Sequence, residues 1–270
     1  MDGLDSLREY VGLVVERAAD EALLRKANSS YIAVAKLLYR LQAEPKRAFD
    51  KIVNKVGGRY GVIDLERVLS GPEYEGLKLG LVDHETAQVK RTVSSTANRY
   101  ITPDGRSYLL SVYFNPGPNL TDAEYNRAFR ASVASWFSHP KNREHYVHEF
   151  VHVMDFRRMS DEYLMGRSSA KLARMQRGEK KDFRRYMNDP LETNAFTHQS
   201  FTRVKSMLKG ARTRAAWEAV MGRSPHEFVD KFMSTYLDKR ARKHWSEDNL
   251  RKLAKRAAAF YQSMAASAPE

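Results

Sequence analysis

The apolar positions of the chain change their spacing along its length, and each change marks a different kind of element. In residues 4–27 and 29–54 they recur at intervals of three and four. Leu4, Leu7, Val11 and Val14 carry the first run, and Ile32, Ala35 and Leu38 the second. Such a stripe belongs to a helix with one buried face. Two helices are therefore predicted, a hairpin-like pair ended by Val56-Gly57-Gly58. From residue 59 the spacing falls toward two. Strands are predicted at 59–64, 77–83, 88–93, 97–102 and 106–114, the last two flanking the turn Thr102-Pro103-Asp104-Gly105. In 106–114, Tyr108, Leu110, Val112 and Phe114 alternate with Leu109, Ser111 and Tyr113, which gives the strand two distinct faces. Asn115-Pro116-Gly117-Pro118 breaks it.

Helical spacing then returns. Thr121-Asp122-Ala123-Glu124 is a capping box, opening a helix to about Phe137. His139-Pro140 separates it from a helix over 143–158. Further helices are predicted at 160–176, 189–208, 212–221, 225–240 and 246–266. Helices, then strands, then helices is an α+β order. The predicted organisation is a helical segment, 1–57, followed by one domain over 58–270. That domain comprises a sheet (59–114), the helix 143–158 and a helical part (160–266).

The helix over 143–158 carries His148-Glu149-Phe150-Val151-His152, an HExxH pattern. Two histidines four apart share one helix face, about 6 Å apart along the axis, close enough to hold one metal ion. The intervening glutamate points toward the edge of that face, where it can take a proton from a metal-activated water without being a ligand. Context strengthens the pattern. Val147, Val151 and Met154 recur at helical spacing, and Tyr146, Phe150 and Val153 form a second such set. A helix apolar on two sides is buried, and buried histidines need partners.

A catalytic zinc takes three protein ligands. His145 and Asp155 lie on the histidine stripe, each about 4.5 Å further along the axis, too far to close a tetrahedron easily. Asp155 suits a carboxylate that fixes a ligand histidine's tautomer, or a partner for Arg157 or Arg158. The extended pattern HExxHxxGxxH fails, because its glycine position is Asp155 and its histidine position is Arg158. The favoured source is Asn188-Asp189-Pro190-Leu191-Glu192-Thr193-Asn194-Ala195. Asp189 reads as an N-cap with proline at the first helical position, which puts Glu192 in the first turn. Asp-x-x-Glu is equally a capping-box pattern, in which Glu192 would satisfy a backbone N–H. Glu162, Glu179 and His198 are the other candidates.

HEFVH followed some forty residues later by ETNA resembles the glutamate-zincins, zinc metallopeptidases with two histidine ligands and a downstream glutamate. HEFVHVMD together with YMNDPLETNAFTHQ also resembles phage-encoded metallopeptidase-type proteins. The resemblance covers roughly residues 100–200 and is specific at the two motifs. It implies a mixed fold with the active helix beneath a small twisted sheet. It further implies Zn2+ held by His148, His152 and Glu192, with Glu149 as general base. Such enzymes commonly add a Tyr or His that stabilises the oxyanion, and Tyr186 is the candidate here. Peptide hydrolysis follows from the resemblance alone. A strand just before the active helix often borders the cleft in this architecture, and 106–114 is the candidate to which an extended substrate could add.

Composition bounds the rest. The chain has 270 residues and no cysteine, which removes disulfides and thiolate metal sites. The acidic start Met-Asp-Gly-Leu-Asp lacks the pattern of a signal peptide, and no run of 18 apolar residues occurs. A cytoplasmic or virion-associated protein is expected. Net charge is +13. Residues 1–140 hold 19 basic and 17 acidic side chains, residues 141–270 hold 27 and 16. The surplus in the second half favours an anionic partner, nucleic acid or acidic protein, although no nucleic-acid module is spelled. Two further readings stay open. One is a catalytically inactive zincin scaffold acting through the basic half; the other is a virion component in which the helix is merely packed.

Overall fold

A computed structural model of the chain describes residues 2–43, 54–56, 60–84, 95–102, 105–115, 121–159 and 180–269. The predicted strand 88–93, the predicted helix 160–176 and the candidates Glu162 and Glu179 lie outside them. The fold is α+β, mostly helical with a small mixed sheet. It divides into two compact units, Lys26–Arg158 on the one hand and Met1–Arg25 with Met159–Glu270 on the other. No described helix is long and apolar enough to cross a membrane.

Helix α1 (Asp2–Ala43) contributes to both units and corrects the expected hairpin: it is one helix of 42 residues. Its buried positions Leu23, Leu24, Ala27, Ser30, Tyr31, Val34, Leu38 and Leu41 keep helical spacing through Asn28-Ser29. With neither Gly nor Pro between them, nothing in that stretch reverses the chain.

In the unit Lys26–Arg158 the sheet consists of β1 (Asn54–Val56), β2 (Tyr60–Asp64), β3 (Leu77–Asp83), β4 (Ser95–Thr102) and β5 (Gly105–Phe114), in the order β1-β2-β3-β5-β4. All neighbours are antiparallel except β3 and β5. The short helix α2 (Leu65–Val68) and a 3-10 turn (Pro72–Tyr74), neither apparent from apolar spacing, join β2 to β3. The pairing register puts Ile63, Leu79, Leu110 and Ala97 in one row, with Leu81, Val112 and Ser95 in the next on the same face. Period two makes every second residue of each strand share that face, and Leu77, Leu79, Leu81, Leu110 and Val112 on it are fully buried. Because β5 is paired along both sides, the expectation that 106–114 offers a free edge is corrected: β4 is the outer strand of the described sheet.

Helices α3 (Asp122–Ser138) and α4 (Pro140–Arg158) pack on β5, and α4 also on β4. The predicted capping box opens α3: the Thr121 hydroxyl accepts from the Glu124 amide, and the Glu124 carboxylate accepts from the Thr121 amide at 2.9 Å. Phe114 meets Phe129 edge-on at 4.8 Å. The Tyr146 hydroxyl shares a 2.8 Å hydrogen bond with Ser30, and Tyr31 donates to the Phe137 carbonyl, tying α1 to this core. The far end of α4 is held as well. Arg157 donates to the carbonyls of Pro72 and Glu75 and lies 5.0 Å over the Tyr108 ring.

The unit of Met1–Arg25 and Met159–Glu270 is helical: α5 (Lys180–Met187), α6 (Pro190–Leu208), α7 (Arg214–Met221), α8 (Pro225–Lys231), α9 (Lys239–His244) and α10 (Glu247–Ala265). Its core is aromatic. Phe201 and Phe260 stack at 4.4 Å, Phe201 and Phe232 approach at 5.2 Å, and Trp217 meets Tyr261 at 5.6 Å. The single helix expected over 225–240 is broken. After Lys231 the chain widens into a π-helical turn, Phe232–Tyr236. That turn buries both aromatics and brings the Tyr236 hydroxyl to the Val220 carbonyl at 2.9 Å. Asp238 then caps α9 by accepting from the Arg240 amide at 2.8 Å. Helix α5 is only eight residues long, and the helical spacing of Phe183, Tyr186 and Met187 in it was the signal that sequence reading passed over.

Candidate metal centre

Helix α4 begins at Pro140, one residue after α3 ends, and its last turn carries Arg157 and Arg158, the charge that suits a helix C-terminus. Tyr146, Val147, Phe150, Val151 and Val153 are fully buried, so the two apolar stripes read from the sequence do enclose the helix. His148 and His152 are therefore held in the interior, at 8% and 7% exposure. Their Nε2 atoms face each other at 3.2 Å, with ring planes inclined by 81°. Phe156 stacks on the His152 ring at 6.0 Å and 15°, which fixes its plane.

That nitrogen spacing is informative. Two ligands each about 2.05 Å from one tetrahedral ion sit about 3.3 Å apart, so the pair is preset for a shared metal. Among the described residues, one group of three His, Cys, Asp or Glu side chains can hold a metal ion: His148, His152 and Glu192. All three are buried, and their ligand atoms lie within 4.8 Å of one another. Two imidazoles and a carboxylate form a donor set suited to zinc, which takes nitrogen and oxygen ligands at similar distances.

Glu192 is 3% exposed in the first turn of α6. The Asp189 carboxylate caps that helix by accepting from the Leu191 amide at 2.9 Å, and the Asp189 amide donates to the Tyr186 carbonyl at 3.1 Å. The helix start is thus closed by Asp189 and the preceding turn, rather than by the reciprocal Glu192 contact of a capping box.

The other candidates fall elsewhere. His198 is fully buried further along α6. Its Nδ1 donates to the Asn194 carbonyl at 2.9 Å, and its Nε2 lies 3.5 Å from Asp20. Burial, reinforced by the Arg256 charge, pushes its pKa down to about 4, so its ring is neutral near pH 7. Arg256 in turn makes two 2.7 Å bonds to the Asp20 carboxylate. His145 is half-buried and lies outside the metal-capable group. Asp155 is buried on α4, and Arg157 turns instead to the carbonyls of Pro72 and Glu75. Tyr186 is half-buried in the last turn of α5, immediately before the Asn188-Asp189 corner.

Glu149 is half-buried, and its Oε1 accepts from the Ser95 hydroxyl at 3.5 Å. Sequence reading missed Ser95, whose place beside Glu149 follows from the packing of α4 on β4. It also missed Glu144, a buried carboxylate one turn before His148. The spacing Glu144, His148, His152 was the available signal. No family model, curated protein or solved structure matches the chain.

Proposed function

We propose that this protein is a zinc-dependent peptidase. The observation that carries the reading is the buried group of His148, His152 and Glu192, with the two Nε2 atoms at the spacing of ligands to one ion. Bound there, zinc would supply Lewis acidity and a water of near-neutral pKa. The chain's own residues would do the rest. His148 and His152 would offer Nε2 lone pairs as ligands, and Glu192 would contribute the negative charge that favours a divalent cation. Glu149, adjacent to the pair yet outside it, accepts a proton from the attacking water and returns it to the leaving amine. Ser95 donates to Glu149 and so orients one of its carboxylate oxygens.

The outer strand β4 begins at Ser95, beside Glu149, and lies at the end of the described sheet. An extended peptide pairing with it would bring its backbone past the general base. The test is cleavage of an unfolded protein substrate by wild type and Glu149→Gln, with and without chelator. Cleavage should require both metal and Glu149.

A further inference from the structure

We propose that α5 and α9 form a binding surface for the phosphodiester backbone of a nucleic acid. The two helices pack against each other, although about fifty residues separate them in sequence. Asn188 locks the corner that joins them. Its side-chain amide donates to the His244 carbonyl at 2.7 Å, and its oxygen accepts from the Ser246 amide at 2.6 Å and from Asn249 at 3.0 Å. Met187 on α5 and Ala241 on α9 are buried. The exposed side chains described on the pair are cationic: Arg184 and Arg185 from α5, and Lys239, Arg240, Arg242 and Lys243 from α9.

Among the described residues, internal partners account for two of the six. Arg240 lies 3.3 Å from Asp238, and Arg242 donates to the carbonyls of Met233 and Ser234. Arg184, Arg185, Lys239 and Lys243 make no ion pair among the described residues. Four uncompensated cations on a surface braced by Asn188 suit a ligand that carries repeated negative charge. A protein partner would also need an apolar or aromatic centre to its interface, and a membrane an apolar flank. The exposed large hydrophobics among the described residues are Ile32, Tyr39 and Met207, none of them on these helices. Phosphate recognition needs no such centre, because charge and hydrogen-bond donors suffice.

The test is fluorescence anisotropy of a labelled 25-base-pair DNA duplex titrated with the full chain at several salt concentrations. Competitors are single-stranded RNA, polyglutamate and phosphatidylserine vesicles. Neutralising about four phosphates gives a slope of log K against log salt near −3.6. The variant Arg184→Gln/Arg185→Gln/Lys239→Gln/Lys243→Gln should bind at least tenfold more weakly and flatten that slope. A control with four other exposed cations replaced, Lys36→Gln/Arg67→Gln/Lys209→Gln/Arg223→Gln, should stay within about twofold of wild type. The two helix pairs, changed separately, should each give part of the loss, which keeps the result readable if the fourfold variant melts early. No binding by wild type at 50 mM salt would overturn the proposal. So would equal weakening by the control, or competition by polyglutamate or vesicles as effective as that by nucleic acid.

Discussion

His148 Nε2 and His152 Nε2 lie 3.2 Å apart inside a helix enclosed by apolar residues. Without a cation, the Nε2–H of one ring must donate a hydrogen bond to Nε2 of the other across that gap. With one, both nitrogens act as lone-pair donors and the spacing needs almost no adjustment. The helix supplies the fourfold offset that brings the rings to one face, and burial limits their exchange with water.

The purified chain should therefore carry about one zinc ion. His148→Ala and His152→Ala should each lose it, and Glu149→Gln should keep it. Elemental analysis of the four proteins checks this. Full zinc occupancy in both alanine variants, or iron in place of zinc in wild type, would contradict the assignment.

Glu192→Gln replaces a charged oxygen by a weaker neutral one. Zinc affinity should fall by at least the ~10–100-fold seen when residues supporting metal ligands are lost. The melting temperature of metal-free protein should barely move, because Asp189 closes the start of α6. A zinc-competition titration beside a thermal melt separates the roles. Unchanged affinity would remove Glu192 from the site.

Ser95→Ala takes away the hydroxyl that donates to Glu149 at 3.5 Å. At that length the bond contributes about 0.5 kcal/mol, so kcat should drop about twofold while KM changes little. Ser95→Thr should restore most of it, since threonine keeps the hydroxyl and suits a strand. A larger change in KM than in kcat would assign Ser95 to substrate binding instead.

His198 gives a pH dependence of stability at a position outside the group of His148, His152 and Glu192. Its pKa is depressed from 6.5 to about 4 in the folded chain, so between those values the unfolded state binds the extra proton. Its neutral form thus stabilises the fold above pH 6.5, and that contribution, on the order of 3 kcal/mol, is lost as pH falls toward 4. Denaturant titrations of wild type and His198→Gln across this range should show a shallower slope in the variant. Equal slopes would mean that His198 titrates normally.

Much of this was legible in the sequence, for reasons that can be named. The α4 motif stood out because burial and ligand spacing share one helical period, so Val147 and Val151 mark the same helix as His148 and His152. The β3 bounds, the Thr121 box and the Asp189 cap were readable because local chemistry fixes each of them. What was not legible depends on pairing across the chain. Nothing near Phe114 shows that β5 lies between β3 and β4, so the sequence alone leaves its edge a candidate for strand addition. Ser95 reaches Glu149 only because β4 pairs beside β5 and α4 packs on it. Asn28-Ser29 resembled a break between helices, yet Ala27 and Ser30 on either side are both buried.

The most direct measurement is the rate at which zinc-loaded wild type and Glu149→Gln hydrolyse a quenched fluorescent peptide library. Both proteins should hold one zinc per chain. The variant should turn over about 10² or more times slower, the usual scale of general acid–base catalysis. A chelator should abolish wild-type cleavage and added zinc restore it. Cleavage that survives chelation, or proceeds equally fast in Glu149→Gln, would contradict the peptidase mechanism.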